Sequence, residues 1–148
     1  MTIFLGKKVV KCLHIPIIFC NFVRVFAKIM KEISDKKLLE TIVEGIRNRK
    51  GERIVQIDLR KIPEAPVSYM IICDGQSSTQ VAAIADEVDD YVRTTTHVHP
   101  LTMAGQENAE WIAMDYGSVF VHVMQREPRE YYDIEHLWAD GKLTEVEG

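Results

Sequence analysis

The stretch "VSYMIICDGQSSTQVAAIADEVDDYVR", Val67 to Arg93, decides the fold class. Its first part is a continuous apolar run ended by Asp74 and Gly75, the pattern of a strand buried on both faces. Its second part sets Val81, Ile84, Ala85, Val88 and Val92 at helical spacing behind Ser77 or Ser78, either of which can cap a helix start. Strand passes to helix through a short loop, which predicts an α/β arrangement.

Working outward, "RIVQIDLRKIP" alternates Val55, Ile57 and Leu59 against Gln56 and Asp58, a strand with one buried face. Before it, "SDKKLLETIVEGIRNRKG" puts Leu38, Leu39, Ile42, Val43 and Ile46 on one helical face, with Ser34 or Asp35 as N-cap and Gly51 as the stop. A polar stretch from Thr94 to Asn108 leads to "AEWIAMDYGSVFVHVM", where apolar runs flank a turn-like "DYGS" and predict a hairpin. If Val119, Val121 and Val123 face one side of it, Phe120, His122 and Met124 face the other. In "PREYYDIEHLW" Pro128 suits the first position of a short helix, and the polar tail after Trp138 is expected to fray. The order α-β-β-α-β-β-α predicts a mixed sheet covered by helices in one domain.

The 148 residues suit one domain, and 47% hydrophobic with 27% charged residues exclude wholesale disorder. Charge is unevenly spread. Residues 1–29 hold Lys7, Lys8, Lys11, Arg24 and Lys28 and no acid, so the overall −4 leaves the remaining residues at −9. An acidic body disfavours direct nucleic-acid binding and favours a basic protein partner. Cys12, Cys20 and Cys73 are odd in number and form no CxxC pair, which fits a reducing compartment such as the cytoplasm.

The apolar, basic segment "VVKCLHIPIIFCNFVRVFAKIM" fits no targeting class. Lys11 and Arg24 interrupt it before it reaches the roughly 20 residues of a membrane span. No small-residue cleavage site follows, and a transit peptide would be richer in Ser and Arg. The expected division is therefore 1–29, an upstream start or dispensable arm; 30–140, the domain; and 141–148, a flexible tail.

Catalytic constellations are sparse. The loop Asp74–Ser78 lacks the lysine of a phosphate loop and the three glycines of a dinucleotide fingerprint. Nucleotidyl transfer needs two carboxylates on Mg²⁺, yet no D-x-D occurs, and Asp133 with Glu135 falls in a helical segment while Asp58 and Asp115 lie on separate strands. His97 and His99 share a face only if extended, and neither His122 nor Cys73 has the spacing of a third metal ligand. Ser77, Ser78 and Cys73 have no nucleophile elbow. No cofactor and no metal are expected, and the competing enzyme reading is a nucleotidyltransferase or hydrolase using Asp74–Ser78.

The aromatic set is richer. Trp111, Tyr116, Tyr131, Tyr132 and Trp138 lie within 28 residues, intermixed with Asp115, Glu130, Asp133 and Glu135. Large aromatics ringed by acids suit an interface for a basic partner, or a self-association face.

The runs "YMIICDGQSSTQVAAIADEV" and "GQENAEWIAMDYGSVFVHVMQREPREYYDIEHLW" resemble the ribosomal silencing factor (Iojap) family over roughly Ser34 to Trp138. Trp111, Asp115, Gly117, Val121, His122, Arg129, Tyr132, Glu135 and Trp138 carry the likeness at these spacings. The resemblance implies a nucleotidyltransferase-like α/β fold without the catalytic carboxylates. It implies a non-enzymatic repressor that binds ribosomal protein fourteen of the large ribosomal subunit and blocks subunit joining when nutrients are scarce. The expected contacts are Trp111, Asp115, Tyr116, Tyr132, Glu135 and Trp138, with His122, Arg129 and Gly117 as supports. Glu135 is expected to be a surface charge whose reversal leaves the melting temperature nearly unchanged.

Overall fold

A computed structural model describes residues 2–5, 8–11 and 17–146. The chain forms two units, Met1–Ser34 and Asp35–Gly148. Strands β1 (Thr2–Leu5) and β2 (Lys8–Lys11) pair antiparallel in the first. Helix α1 (Ile17–Asn48) begins there and ends in the second. Neither Ser34 nor Asp35 caps it, because no Gly or Pro lies between Ile17 and Ser34 and the helix is already formed. The Asp35 carboxylate accepts a hydrogen bond from Ser118 Oγ at 2.9 Å instead.

The second unit is built on six strands: β3 (Glu52–Asp58), β4 (Tyr69–Gly75), β5 (Thr102–Ala104), β6 (Trp111–Asp115), β7 (Val119–Gln125) and β8 (Lys142–Val146). Their order is β5-β6-β7-β4-β3-β8, with β4 and β7 parallel and every other pair antiparallel. Every residue of β4 is buried, as its unbroken apolar run predicts. On one face Tyr69, Ile71 and Cys73 of β4 join Val119, Val121 and Val123 of β7 in a core completed by α1 and by helix α2 (Ser78–Thr96). On the other, Met70, Ile72 and Met124 pack with Val55, Ile57 and Leu59 in a second core that takes Ile134 from helix α4 (Ile134–Leu137). Burying these side chains supplies the main drive for folding, about 1.5–3 kcal/mol for each large one.

Local signals act where the sequence places them. The Ser77 side chain accepts from Gln80 N at 3.1 Å, and α2 buries the five residues its periodicity nominates. Gly51 ends α1 through close approach, since a Cβ there would lie 2.3 Å from Ile46 Cγ2; the left-handed residue is Lys50.

Three further expectations are corrected. The polar stretch after α2 holds β5, and the tail after Trp138 forms β8, paired from Lys142 to Val146 with β3; the end of that tail, 147–148, lies outside the described residues. Both are edge strands held by backbone ladders, so side-chain hydropathy carries little trace of them. Pro128 is the third residue of helix α3 (Arg126–Tyr132), still within the first turn, where its missing N–H loses no helical bond.

Candidate functional site

The β6–β7 hairpin sets Trp111 opposite Met124 and Asp115 opposite Phe120, so its two ends are about 13 Å apart. The expected site residues divide between them.

At the first end Trp111 Nε1 donates to His122 Nδ1 at 3.0 Å. An accepting Nδ1 carries no proton, so the imidazole is neutral with its hydrogen on Nε2. Burial pushes the His122 pKa down to about 4, which keeps it neutral near pH 7. The indole packs on Tyr132 with ring centroids 5.1 Å apart, and Tyr132 meets Tyr131 edge-on at 5.1 Å. A continuous run of rings thus leads from buried His122 through half-buried Trp111 to Tyr132, 53% exposed, and Tyr131, 82% exposed. Trp138 is half-buried against the second core, and Leu137 beside it is exposed.

The short helices that present these rings are anchored by charge. Arg129 of α3 is 4% exposed. Its Nη1 donates to Asp74 Oδ1 at 2.8 Å and to the Arg53 carbonyl at 2.7 Å. Its Nε donates to Glu135 Oε1 at 2.9 Å, and its Nη2 reaches the same oxygen. Burial works against the Arg129 charge, but the bonds it donates to Asp74 and Glu135 outweigh it and its pKa is raised. Asp74, buried at the end of β4, also accepts from Arg53 Nε through Oδ2. Arg53 sits at a β-bulge with φ 46°, which turns its carbonyl and side chain onto this cluster. Strand β4, the β3 bulge and both short helices are thereby locked together. Such a buried network adds little over an apolar core, but removing one member leaves an uncompensated charge.

Glu135 therefore does not have the free surface role expected of it. Its side chain is 22% exposed and bonded to Arg129, so reversing its charge sets two cations together and lowers stability as well as any binding.

The second end is different. Asp115 Oδ1 accepts from Gly117 N at 2.7 Å, and Gly117 takes φ 86°, a turn that favours glycine. Tyr116 is only 7% exposed and lies in the first core, where burial pushes its phenol pKa up. Tyr116 is thus corrected from expected contact to core residue: its ring faces α1 and α2 rather than solvent. Asp115 acts locally on the turn, remote from Tyr132 and Glu135.

The loop Asp74–Ser78 borders a cavity of 160 Å³ lined by Glu52, Asp74, Gly75, Gln76 and Arg126. Each feature there has a packing role. Both Asp74 oxygens are held by arginines, Ser77 caps α2, and a Cβ on Gly75 would lie 2.7 Å from Val81 Cγ2. Cys73 is buried with its thiol pKa pushed up to about 12, the opposite of an activated nucleophile. His97 ends α2 in the left-handed region at φ 58°, so the extended run that would align it with His99 does not form.

Sequence reasoning passed over Arg53 and Asp74 as partners of Arg129. One signal was present: a carboxylate closing a fully apolar strand requires a cation.

Comparison with known proteins places residues 32–148 within the model of the family described as "Ribosomal silencing factor during starvation". The chain is 34% identical over 116 residues to the ribosomal silencing factor RsfS of Halalkalibacterium halodurans, covering 78% of this chain and 97% of that one. A crystal structure of a Chromobacterium violaceum protein superposes with a TM-score of 0.67 at 33% identity, covering 76% of this chain and 92% of that one. A more distant match, 31% identical over 84 residues, is to a mouse protein named mitochondrial assembly of ribosomal large subunit protein 1, covering 53% of this chain and 37% of that one.

Proposed function

This chain belongs to the ribosomal silencing factor family, and from that premise we propose that it represses translation by occluding the large ribosomal subunit. It binds ribosomal protein fourteen of that subunit and prevents joining with the small subunit when nutrients are scarce. It acts as a monomer or a weak homodimer in the cytoplasm, by occupancy and without chemistry.

The observation that carries this reading is the ring run ending in Tyr132 and Tyr131, mounted on helices fixed by Arg129. Exposed aromatics on a rigid support lose little entropy on binding and make good anchors. Glu127, Glu130 and Asp133 on the same helices and their junction give the patch the sign that suits a basic partner. A standard interface of about 800 Å² per partner around such anchors would occupy a docking surface. Inhibition then follows the concentration of the factor against its Kd.

The enzyme alternative loses its best carboxylate, because Asp74 is held on both oxygens by arginine. The test is sedimentation of the full chain with isolated large and small subunits. Co-sedimentation with the large subunit alone, together with fewer joined ribosomes, is the expected result. Absence of binding at micromolar protein would sink occlusion, and a melting shift on adding nucleoside triphosphate with Mg²⁺ would restore the enzyme reading.

A further inference from the structure

Helix α1 before Ser34 has a second, separate amphipathic pattern, all of it but Ile33 upstream of residue 32, where the family match begins. Phe22, Val25, Phe26, Ile29 and Ile33 recur at three- and four-residue spacing, and all five are exposed. The rings of Phe22 and Phe26 stack one turn apart, with centroids at 6.2 Å. Arg24, Lys28 and Lys31 recur at the same spacing on the opposite side of the helix. From Met1 to Lys31 the chain carries six Lys and Arg and no acid. No helix among the described residues is long and apolar enough to cross a membrane.

We propose that this helix is a peripheral membrane-binding element, which lays its Phe22/Phe26 face into the headgroup boundary of an anionic bilayer while Arg24, Lys28 and Lys31 pair with lipid phosphates. Aromatic residues on one face and cations on the other are the combination that adsorbs a helix in the plane of an anionic interface. Charge decides the occupant. A groove on an acidic protein would match the cations but needs a shaped counterpart, whereas a lipid surface accepts the whole apolar arc. A second copy of the helix packed on the same apolar arc would leave all six cations of the pair on the outer sides with no anion to meet them. The net −9 of residues 30–148 opposes adsorption, which makes the local cation cluster, and not net charge, the quantity under test.

The experiment is flotation of the full chain with phosphatidylglycerol-containing vesicles and with pure phosphatidylcholine vesicles. Flotation with the anionic vesicles alone, weakening as salt rises, is expected. Arg24→Gln/Lys28→Gln/Lys31→Gln should weaken it about fivefold per charge, on the order of a hundredfold together. Phe22→Ser/Phe26→Ser should abolish flotation while co-sedimentation with the large subunit and the melting temperature stay unchanged. Equal flotation on both vesicle types, no flotation, or a dimer in light scattering that the Phe22→Ser/Phe26→Ser pair dissolves would each overturn the proposal.

Discussion

The two ends of the β6–β7 hairpin begin from similar material and reach opposite fates. Each sets an aromatic residue near a polar one: Trp111 bonded to His122 at one end, Tyr116 next in sequence to Asp115 at the other. At the first, the ring lies on the sheet face covered by short helices and the segment 59–67, and the aromatic run continues to solvent at Tyr132. At the second, the ring turns to the face covered by α1 and α2 and is lost in the core. Which side of the sheet a ring faces, and how completely that side is covered, decides whether an aromatic residue stays exposed or becomes core filler.

The hardest way to break this contrast is to remove the mount of the first end. Arg129→Ala leaves the Asp74 carboxylate with Arg53 and, at 4.0 Å, Arg126, strips its Oδ1 of a partner and frees Glu135, and should lower unfolding stability by about 3–5 kcal/mol in a denaturant titration. A loss below about 1 kcal/mol would mean that Arg53 and Arg126 suffice and the lock is not cooperative.

The protonation of His122 sharpens the same end. Its folded pKa of about 4 lies below the ordinary 6.5, so between those values the unfolded chain binds more protons than the folded one. Stability is therefore full above pH 6.5 and falls as pH drops toward 4, by about 3 kcal/mol. His122→Gln, which keeps an acceptor for Trp111, should flatten that slope; an unchanged slope would place the titrating group elsewhere.

Exchanging anchor for filler gives the next effect. Tyr132→Ala should weaken large-subunit binding by about 2 kcal/mol, roughly thirtyfold, and change stability by less than 1 kcal/mol. Tyr116→Ala should do the reverse, costing about 3–5 kcal/mol of stability with unaltered affinity per folded molecule. If both variants lose only binding, the division between the ends is wrong.

The smallest change is Tyr116→Phe. The Tyr116 hydroxyl is buried with no hydrogen-bond partner among the described residues, so its removal should leave stability unchanged or raise it by up to about 1 kcal/mol. A clear loss would reveal a bond from that hydroxyl.

Much of the architecture was legible from residue order alone. The central strand β4, the helix α2 with its cap and its buried face, and the alternation of β7 about "DYGS" all follow from patterns that repeat over a few residues. The resemblance carried by Trp111, His122, Arg129 and Tyr132 pointed to the family whose model matches residues 32–148. The edge strands β5 and β8 were not legible, since backbone pairing at a sheet edge needs no buried side chain. Nor was the role of Asp74, Arg53, Arg129 and Glu135, which come from four separate segments and meet only when the sheet and short helices assemble. Local periodicity records how a segment buries its own face. Which of its polar and aromatic groups end as lock, filler or exposed anchor depends on neighbours distant in the chain, so only the tertiary structure could decide it.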